Sequence, residues 1–351
     1  MSFMPILRRI AFSFYDYKTT HLNSSDVKFA VIHIPDQVGD AMSIFPLIRS
    51  LERQQIAHLL IVASEKNKTV FDALSLAQTK LTIISMTWQD NATLKEIKDV
   101  AKNIRRKYGV PDLCIDAMRK KNLKTIAFVG TLKSKMNFQA VDFTMRCYSP
   151  ICKMASRMDQ KFRAPVPMTW AILMREAGFP VVKAAFELPI SDEVLTEVSH
   201  ETTPLGRYIA VNLEGSAKER TFSLAIAHKL ISLIKEHTEL PIIIVHGPAG
   251  VDSATALIAS FDNVHHLSLS PSIPRSAAVI KDAFFAITPD TSILHMASAY
   301  NTPVIAVYTD YKTRWPAMSD VAERIVVGKH IDNINLDEFR QSLMNIISRI
   351  L

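Results

Sequence analysis

Three stretches of the chain combine residue types that could act on a polar, phosphorylated substrate. In the first, Pro35-Asp36-Gln37-Val38-Gly39-Asp40 separates a β-branched run from a stretch of helical spacing. Asp40 can cap the helix there, a role worth about 1 kcal/mol, or project from the turn as a general base. The spacing fits both uses. In the second, Asn212-Leu213-Glu214-Gly215-Ser216-Ala217-Lys218-Glu219-Arg220 again lies between a strand pattern and a helical one. Backbone N–H groups, the Ser216 hydroxyl and the Arg220 guanidinium suit a diphosphate, although an ordinary polar loop has the same composition. The third is Thr288-Pro289-Asp290-Thr291-Ser292-Ile293-Leu294-His295. Asp290, Thr291 and Ser292 can each cap the helix that follows and leave free N–H groups for an anion. His295 falls in the first turn of that helix, where a histidine serves packing or a ligand.

Other chemistries lack their signatures. Glycine is scarce, 9 in 351 residues, with no GxGxxG and no Walker loop, so a phosphate site must use helix N-termini and side chains. The histidines have neither HxxxH nor HxxE spacing, and no GxSxG occurs. No metal and no cofactor is expected. The three cysteines, Cys114, Cys147 and Cys152, form no CxxC pair and fit a reduced cytosolic compartment. No apolar run reaches the roughly 18 residues of a membrane span, and no cleavable signal peptide is read after Arg8 and Arg9.

Residues at strand-to-helix turns need strands and helices to carry them. Strand patterns at 29–34, 58–63, 82–85 and 113–115 alternate with helical ones at 41–51 and 94–108, and 70–76 continues the series. Residues 131–165 are rich in Lys, Arg, Met and Ser and read as loops or short helices, followed by a helix over 168–178. The alternation restarts with strands at 208–213, 242–246, 265–269, 284–287 and 304–308. Helices at 224–237, 252–261, 277–282 and 292–300 lie between them. This pattern predicts an α/β chain with a doubly wound parallel sheet in each half, and ligands beyond the carboxyl ends of the strands. The expected divisions are an N-terminal segment 1–27, a first domain 28–180, a proline-containing linker 181–206, a second domain 207–332, and a C-terminal helix 333–351 packing back on the first domain.

Charge divides the same way. Residues 1–190 carry a net +12 and residues 191–351 a net −5, and residues 102–163 alone hold 15 basic residues against 4 acidic ones. Such a cluster implies an acidic partner for the first domain. It contains no recognisable nucleic-acid motif. Ile6, Leu7, Arg8, Arg9, Ile10, Phe12 and Phe14 could form a short interfacial helix.

Taken together, these segments resemble the ADP-heptose:lipopolysaccharide heptosyltransferases, glycosyltransferase family 9, over roughly residues 28–330. The resemblance rests on Gly39-Asp40 with Pro46-Leu47-Ile48-Arg49-Ser50-Leu51, and on Asp112-Leu113-Cys114-Ile115-Asp116. Gly215-Ser216 with Arg220, and Gly247-Pro248, add to it. Its most specific part is Asp290-Thr291-Ser292-Ile293-Leu294-His295-Met296-Ala297-Ser298-Ala299 with Thr302-Pro303-Val304.

The resemblance implies the GT-B architecture, two Rossmann-like domains facing across a cleft, and an inverting, metal-independent transfer of heptose from ADP-heptose to a sugar hydroxyl of the lipopolysaccharide core. It implies Asp40 as the base and Ser216, Arg220, Asp290, Thr291, Ser292 and His295 on the donor. The basic cluster, with Arg119, Lys120, Lys121 and Lys124, would meet the acceptor and the anionic inner face of the inner membrane of a Gram-negative bacterium, to which this cytoplasmic protein would bind peripherally. Three departures bear on the donor: Ser292 where the family commonly has glycine, Thr221-Phe222-Ser223 for its Trp-Pro, and Tyr308-Thr309 for its Phe-Gly. The alternatives are another nucleotide-sugar donor, a nucleotide-sugar epimerase, or an inactive relative that binds nucleotide sugar or lipid.

Overall fold

The computed structural model describes residues 10–120, 122–141, 145–215 and 217–351. The expectations for residues 1–9, for Lys121 and for Ser216 lie outside them. The chain forms two compact units, Met1–Ala185 and Phe186–Leu351.

In the first unit, β1 (Phe29–Ile34), β2 (His58–Ser64), β3 (Lys80–Met86), β4 (Leu113–Asp116) and β5 (Met136–Gln139) form a parallel sheet in the order β3-β2-β1-β4-β5. The order reverses beside β1, which puts the turns after β1 and β4 at a topological switch point. β1 and β2 are buried over all but their first residues, so they read as unbroken apolar runs instead of alternating ones. The single helix expected over 41–51 is two: α1 (Val38–Ser43) and α2 (Phe45–Arg53), which meet at Ile44. Pro46 is the cause, because it lacks an N–H and belongs in the first turn of a new helix. α3 (Leu94–Tyr108) starts at Thr93, whose hydroxyl accepts from Glu96 N–H, and ends at Gly109.

The region 131–165 holds more order than its composition suggests. α4 (Leu123–Leu132) leads through Lys133, in a left-handed conformation, into the fully buried β5, and α5 (Cys152–Gln160) follows. Lys135 anchors this turn on Asp112, Nζ to Oδ1 at 2.7 Å. α6 (Val166–Glu176) packs on α2 and α5.

In the second unit, α7 (Asp192–Thr202) occupies much of the stretch expected as linker. Ser191 caps it, and Glu197 ties it to Arg275 at 2.9 Å. The parallel sheet runs β11-β10-β9-β6-β7-β8. Its strands are β6 (Ile209–Asn212), β7 (Ile242–Val245), β8 (Val264–His265), β9 (Phe285–Pro289), β10 (Val304–Tyr308) and β11 (Ala322–Val326). Between them lie α8 (Leu224–His237), α9 (Val251–Ser260), α10 (Ile273–Asp282) and α11 (Ser292–Tyr300). The C-terminal helix, α12 (Leu336–Ile350), was expected to pack back on the first domain. It inserts Phe339, Leu343 and Ile346 into the core of its own unit, beside Leu230, Ile231 and Ile234 of α8. Each such side chain contributes about 1.5–3 kcal/mol of burial, so this apolar face belongs to the second unit's core.

Candidate active site

Asp40 sits in the third position of α1. Gln37 is the N-cap residue, so Asp40 is not the cap. Freed of that role, its half-buried carboxyl is pushed up to about 7 by burial and by the neighbouring Asp36, with Arg119 and Lys120 pulling the other way. The turn that carries it is fixed from below. Asn67, fully buried, donates to the Ile34 carbonyl at 2.8 Å and accepts from Ser64 N–H, and the Ser64 hydroxyl donates to the Asp36 carbonyl at 2.7 Å.

Asp36 is itself 95% removed from solvent, with 5% exposure. Its Oδ1 accepts from Trp88 Nε1–H at 3.1 Å and its Oδ2 pairs with Lys120 Nζ at 3.0 Å. Lys120 also reaches Asp90 at 3.1 Å. Burial opposes its charge, yet Asp36 and Asp90 outweigh that and raise its pKa. Lys124 Nζ donates to the carbonyls of Gln89 and Asp90 at 3.0 and 2.7 Å. Arg119, between β4 and Lys120, adopts a left-handed φ of 53°.

The second unit assembles the donor candidates from two loops. After β6, the Gly215 N–H donates to the Thr221 hydroxyl at 3.1 Å. The chain passes so close to Arg220 that a Cβ at Gly215 would collide with the Arg220 carbonyl. Arg220 Nη1 donates to the Asp290 carbonyl at 3.1 Å, which joins this loop to the one after β9. Thr291 is the N-cap of α11, its hydroxyl accepting from Ile293 N–H, and Ser292 is the first helical residue. Asn212 brackets both loops, donating to the Glu214 carbonyl, to the Thr288 hydroxyl at 2.9 Å and to the Thr291 hydroxyl at 3.2 Å. Burial pushes Asp290 up to about 6, against the opposing pull of Arg220 and the Thr313 hydroxyl.

His295 stands in a separate aromatic setting. Phe186 stacks on it with centroids 4.4 Å apart, and Trp315 lies 5.1 Å away. With 5% exposure, burial lowers its pKa to about 3, so the ring is neutral at working pH. It can donate or accept a hydrogen bond but cannot serve as a counter-ion.

The departures noted in the sequence have structural uses. Thr221 closes the loop after β6, Phe222 enters the core and Ser223 caps α8. The Tyr308 hydroxyl, buried at the end of β10, accepts from Ala317 N–H at 2.9 Å and so orders the chain next to Trp315. Beyond the ends of β7 and β8 lies a small open pocket lined by Ile243, His246, Leu267, Leu269, Ser272 and Arg275 among others.

Asn212, Asp36, Trp88, Phe186 and Trp315 were not singled out from the sequence. Only the last residue of β6, a polar Asn212 ending an apolar strand, carried a signal that could have drawn attention.

Two parallel-sheet α/β units with polar turns at the carboxyl ends of their central strands are a frame on which many nucleotide-binding enzymes are built, and comparison with known proteins narrows it. Residues 270–338, which include Asp290, Thr291 and His295, match the family model of glycosyltransferase family 9 (heptosyltransferase). The chain is 64% identical over 234 residues to YeeL, an uncharacterized protein of Escherichia coli (strain K12), spanning 67% of this chain and 100% of YeeL. The fold is shared with ADP-heptose lipopolysaccharide heptosyltransferase II of E. coli, with a TM-score of 0.68, 14% identity and coverage of 92% and 99% of the two chains. It is also shared with E. coli heptosyltransferase WaaC bound to ADP, with a TM-score of 0.65, 17% identity and coverage of 92% and 100%. The chain therefore carries a family 9 glycosyltransferase segment in its second unit and shares the GT-B fold of the heptosyltransferase structures.

Proposed function

We propose that the protein transfers heptose from ADP-heptose to a sugar hydroxyl of the lipopolysaccharide core, with inversion at the anomeric carbon and without a metal ion. The observation that carries this reading is the state of Asp40. It is a half-buried carboxyl near neutrality at a strand-to-helix turn, matched to take a proton at working pH.

In the reaction, the acceptor O–H proton passes to Asp40 while the acceptor oxygen bonds to the anomeric carbon. The bond from that carbon to the diphosphate oxygen breaks, and its electron pair leaves with ADP. Charge builds on the departing diphosphate. Arg220 and the N-terminus of α11, capped by Thr291, would supply fixed positive potential there, aided by Ser216 and by the Ser292 N–H. His295, neutral and flanked by aromatic rings, would contact the sugar or phosphate by hydrogen bonding. Heptosyltransferase II, which acts with ADP-heptose, and WaaC, which binds ADP, support the choice of donor.

The acceptor is a polyanion, and the first unit offers it Arg119 after β4, while the exposed Lys102, Arg105, Arg106 and Lys107 of α3 lie toward the other end of the sheet, where Tyr108 packs on Phe29 and His58. The same charges would draw the protein to an anionic membrane surface. Among the described residues no helix is long and apolar enough to cross a membrane.

The deciding experiment is mass spectrometry of lipopolysaccharide from a strain lacking this protein. Loss of one heptose from the core is the expected result. A wild-type core would overturn the reading. Incubation of the purified protein with ADP-heptose alone separates transfer from epimerisation, because transfer releases ADP only when acceptor is present.

A further inference from the structure

Lys120 and Lys124 read in the sequence as ligands for an anionic acceptor. In the structure both side chains are committed within the protein. Lys120 Nζ lies 3.0 Å from Asp36 Oδ2 and 3.1 Å from Asp90 Oδ2. Lys124 Nζ donates to the carbonyls of Gln89 and Asp90, and Trp88 donates its indole N–H to the other oxygen of Asp36. These contacts tie the segments after β1, β3 and β4 into one bracket around the turn that carries Asp40.

We propose that Lys120 is a positioning residue for the transfer reaction and not a ligand of the acceptor. Through Asp36 and Asp90 it fixes the loop geometry and the local charge in which Asp40 receives the acceptor proton. The inference rests on the reading of Asp40 as the base. Two physical arguments support it. A carboxylate as buried as Asp36 is costly without a partner, so Lys120 cannot swing toward a ligand without stranding it. An acceptor phosphate would also have to displace two carboxylates from a single ammonium.

The charged groups acting on Asp40 are Asp36 on its own turn, and Arg119 and Lys120 after β4. α2 and the segment Lys68–Phe71 also pack on α1. They carry Arg49, paired with Glu52 at 2.9 Å, Arg53, which donates to the Val181 carbonyl, and Lys68. Asp36 and Lys120 therefore work on Asp40 in opposite senses. Removing the first should make Asp40 more acidic, and removing the second should make it less so.

The test reads Asp40 directly, by ¹³C NMR of aspartate carboxyl carbons in the full chain, with the Asp40 signal assigned by its loss in Asp40→Asn. The expected midpoint moves down by about one pH unit or more in Asp36→Asn and up by a similar amount in Lys120→Met. The acid limb of the transfer rate should move with it, while the acceptor KM changes less than threefold. Asp90→Asn, at the exposed end of the bracket, provides a variant with little folding risk and should lower the midpoint by a smaller amount. Midpoints that stay put in folded variants overturn the proposal, as does a Lys120→Met whose only defect is a raised acceptor KM. If the midpoints shift as expected but Asp40→Asn still transfers sugar, the bracket stands and the assignment of Asp40 as base falls.

Discussion

Arg220 and Asp290 belong to different βα loops of the second unit, and a hydrogen bond from Arg220 Nη1 to the Asp290 carbonyl joins them at 3.1 Å. The bond orients the guanidinium, whose planar fork matches phosphate oxygens bidentately. Lysine cannot do both, because its ammonium is a point charge on a flexible stem. Arg220→Lys is therefore expected to weaken ADP binding about tenfold, and Arg220→Ala about 10- to 100-fold, as hydrogen bonds to charged groups contribute about 1.5–3 kcal/mol. Isothermal titration with ADP measures both. An unchanged affinity in Arg220→Ala would remove Arg220 from the donor site.

The pH dependence of transfer follows from Asp40. Its basic form is required, and with a midpoint of about 7 the rate should fall tenfold per pH unit below neutrality. Stability runs the other way. The folded state holds the Asp40 proton more tightly than the unfolded chain, so this group's contribution to stability is lost as pH rises from about 4 through 7. Asp40→Asn should therefore abolish transfer and raise Tm at pH 8, with little gain at pH 4. The shift from 3.8 to about 7 would correspond to about 4 kcal/mol, which solvent access at this half-buried site reduces to about 1–2 kcal/mol. Differential scanning calorimetry at the two pH values checks the sign.

His295 gives a prediction of an absence. A histidine at a phosphate site would ordinarily make donor affinity fall as pH rises through 6.5. Here burial holds its pKa at about 3, so no such step from His295 is expected between pH 5 and 8. Phe186→Ala should restore one by letting water reach the ring, at a stability cost of about 3–5 kcal/mol. ADP affinity across that pH range, in both proteins, reads it out. A histidine-like step that vanishes in His295→Gln of the unaltered protein would contradict the burial argument.

The sequence made the frame legible where one periodicity ran long enough. The amphipathic stretch that became α3, and the apolar runs of β1 and β10, stand out because burial alone dictates their pattern. β5 is not legible because Met136-Asn137-Phe138-Gln139 is too short to show a period and is half polar although fully buried, with Asn137 donating to the Tyr17 hydroxyl and the Cys147 carbonyl. Nor is β11, because only Ile325 of its five residues is buried. The same limit applies at the site. Asp40, Arg220 and Thr291 stood at strand-to-helix turns and could be nominated individually, whereas the partners of those turns come from distant segments. Nothing in the spacing of Asp36, Trp88 and Lys120 says that the three meet, and nothing near His295 announces Phe186.

Asn212 should matter to donor binding as well as to the fold's stability. Its amide holds Glu214, Thr288 and Thr291 together, so Asn212→Ala leaves the Thr288 hydroxyl buried with fewer partners and frees the cap of α11. The expected cost is about 1–3 kcal/mol of stability, with ADP affinity falling at least fivefold as the cap loses its alignment. Asn212→Asp keeps the acceptor oxygen for Glu214 N–H but loses the donors, and should behave like the alanine variant. If Asn212→Asp binds ADP normally, the bracket does not set the geometry of the donor loops.

Gly215 and Gly247 offer a matched pair for testing how closely the loop after β6 must be folded. A methyl group at Gly215 would run into the carbonyl and Cβ of Arg220, and backbone cannot yield without opening the turn that aims the guanidinium. At Gly247 the nearest atom is the Glu214 Oε2 at 3.3 Å, the end of a side chain that can shift by a few tenths of an ångström. Gly215→Ala should therefore lose ADP affinity at least tenfold, together with about 1–3 kcal/mol of stability. Gly247→Ala should change affinity by less than threefold. Equal losses in the two variants would mean that the tightness of the turn at Gly215 does not position Arg220. A loss confined to stability in Gly215→Ala would say that the turn serves the fold and not the donor.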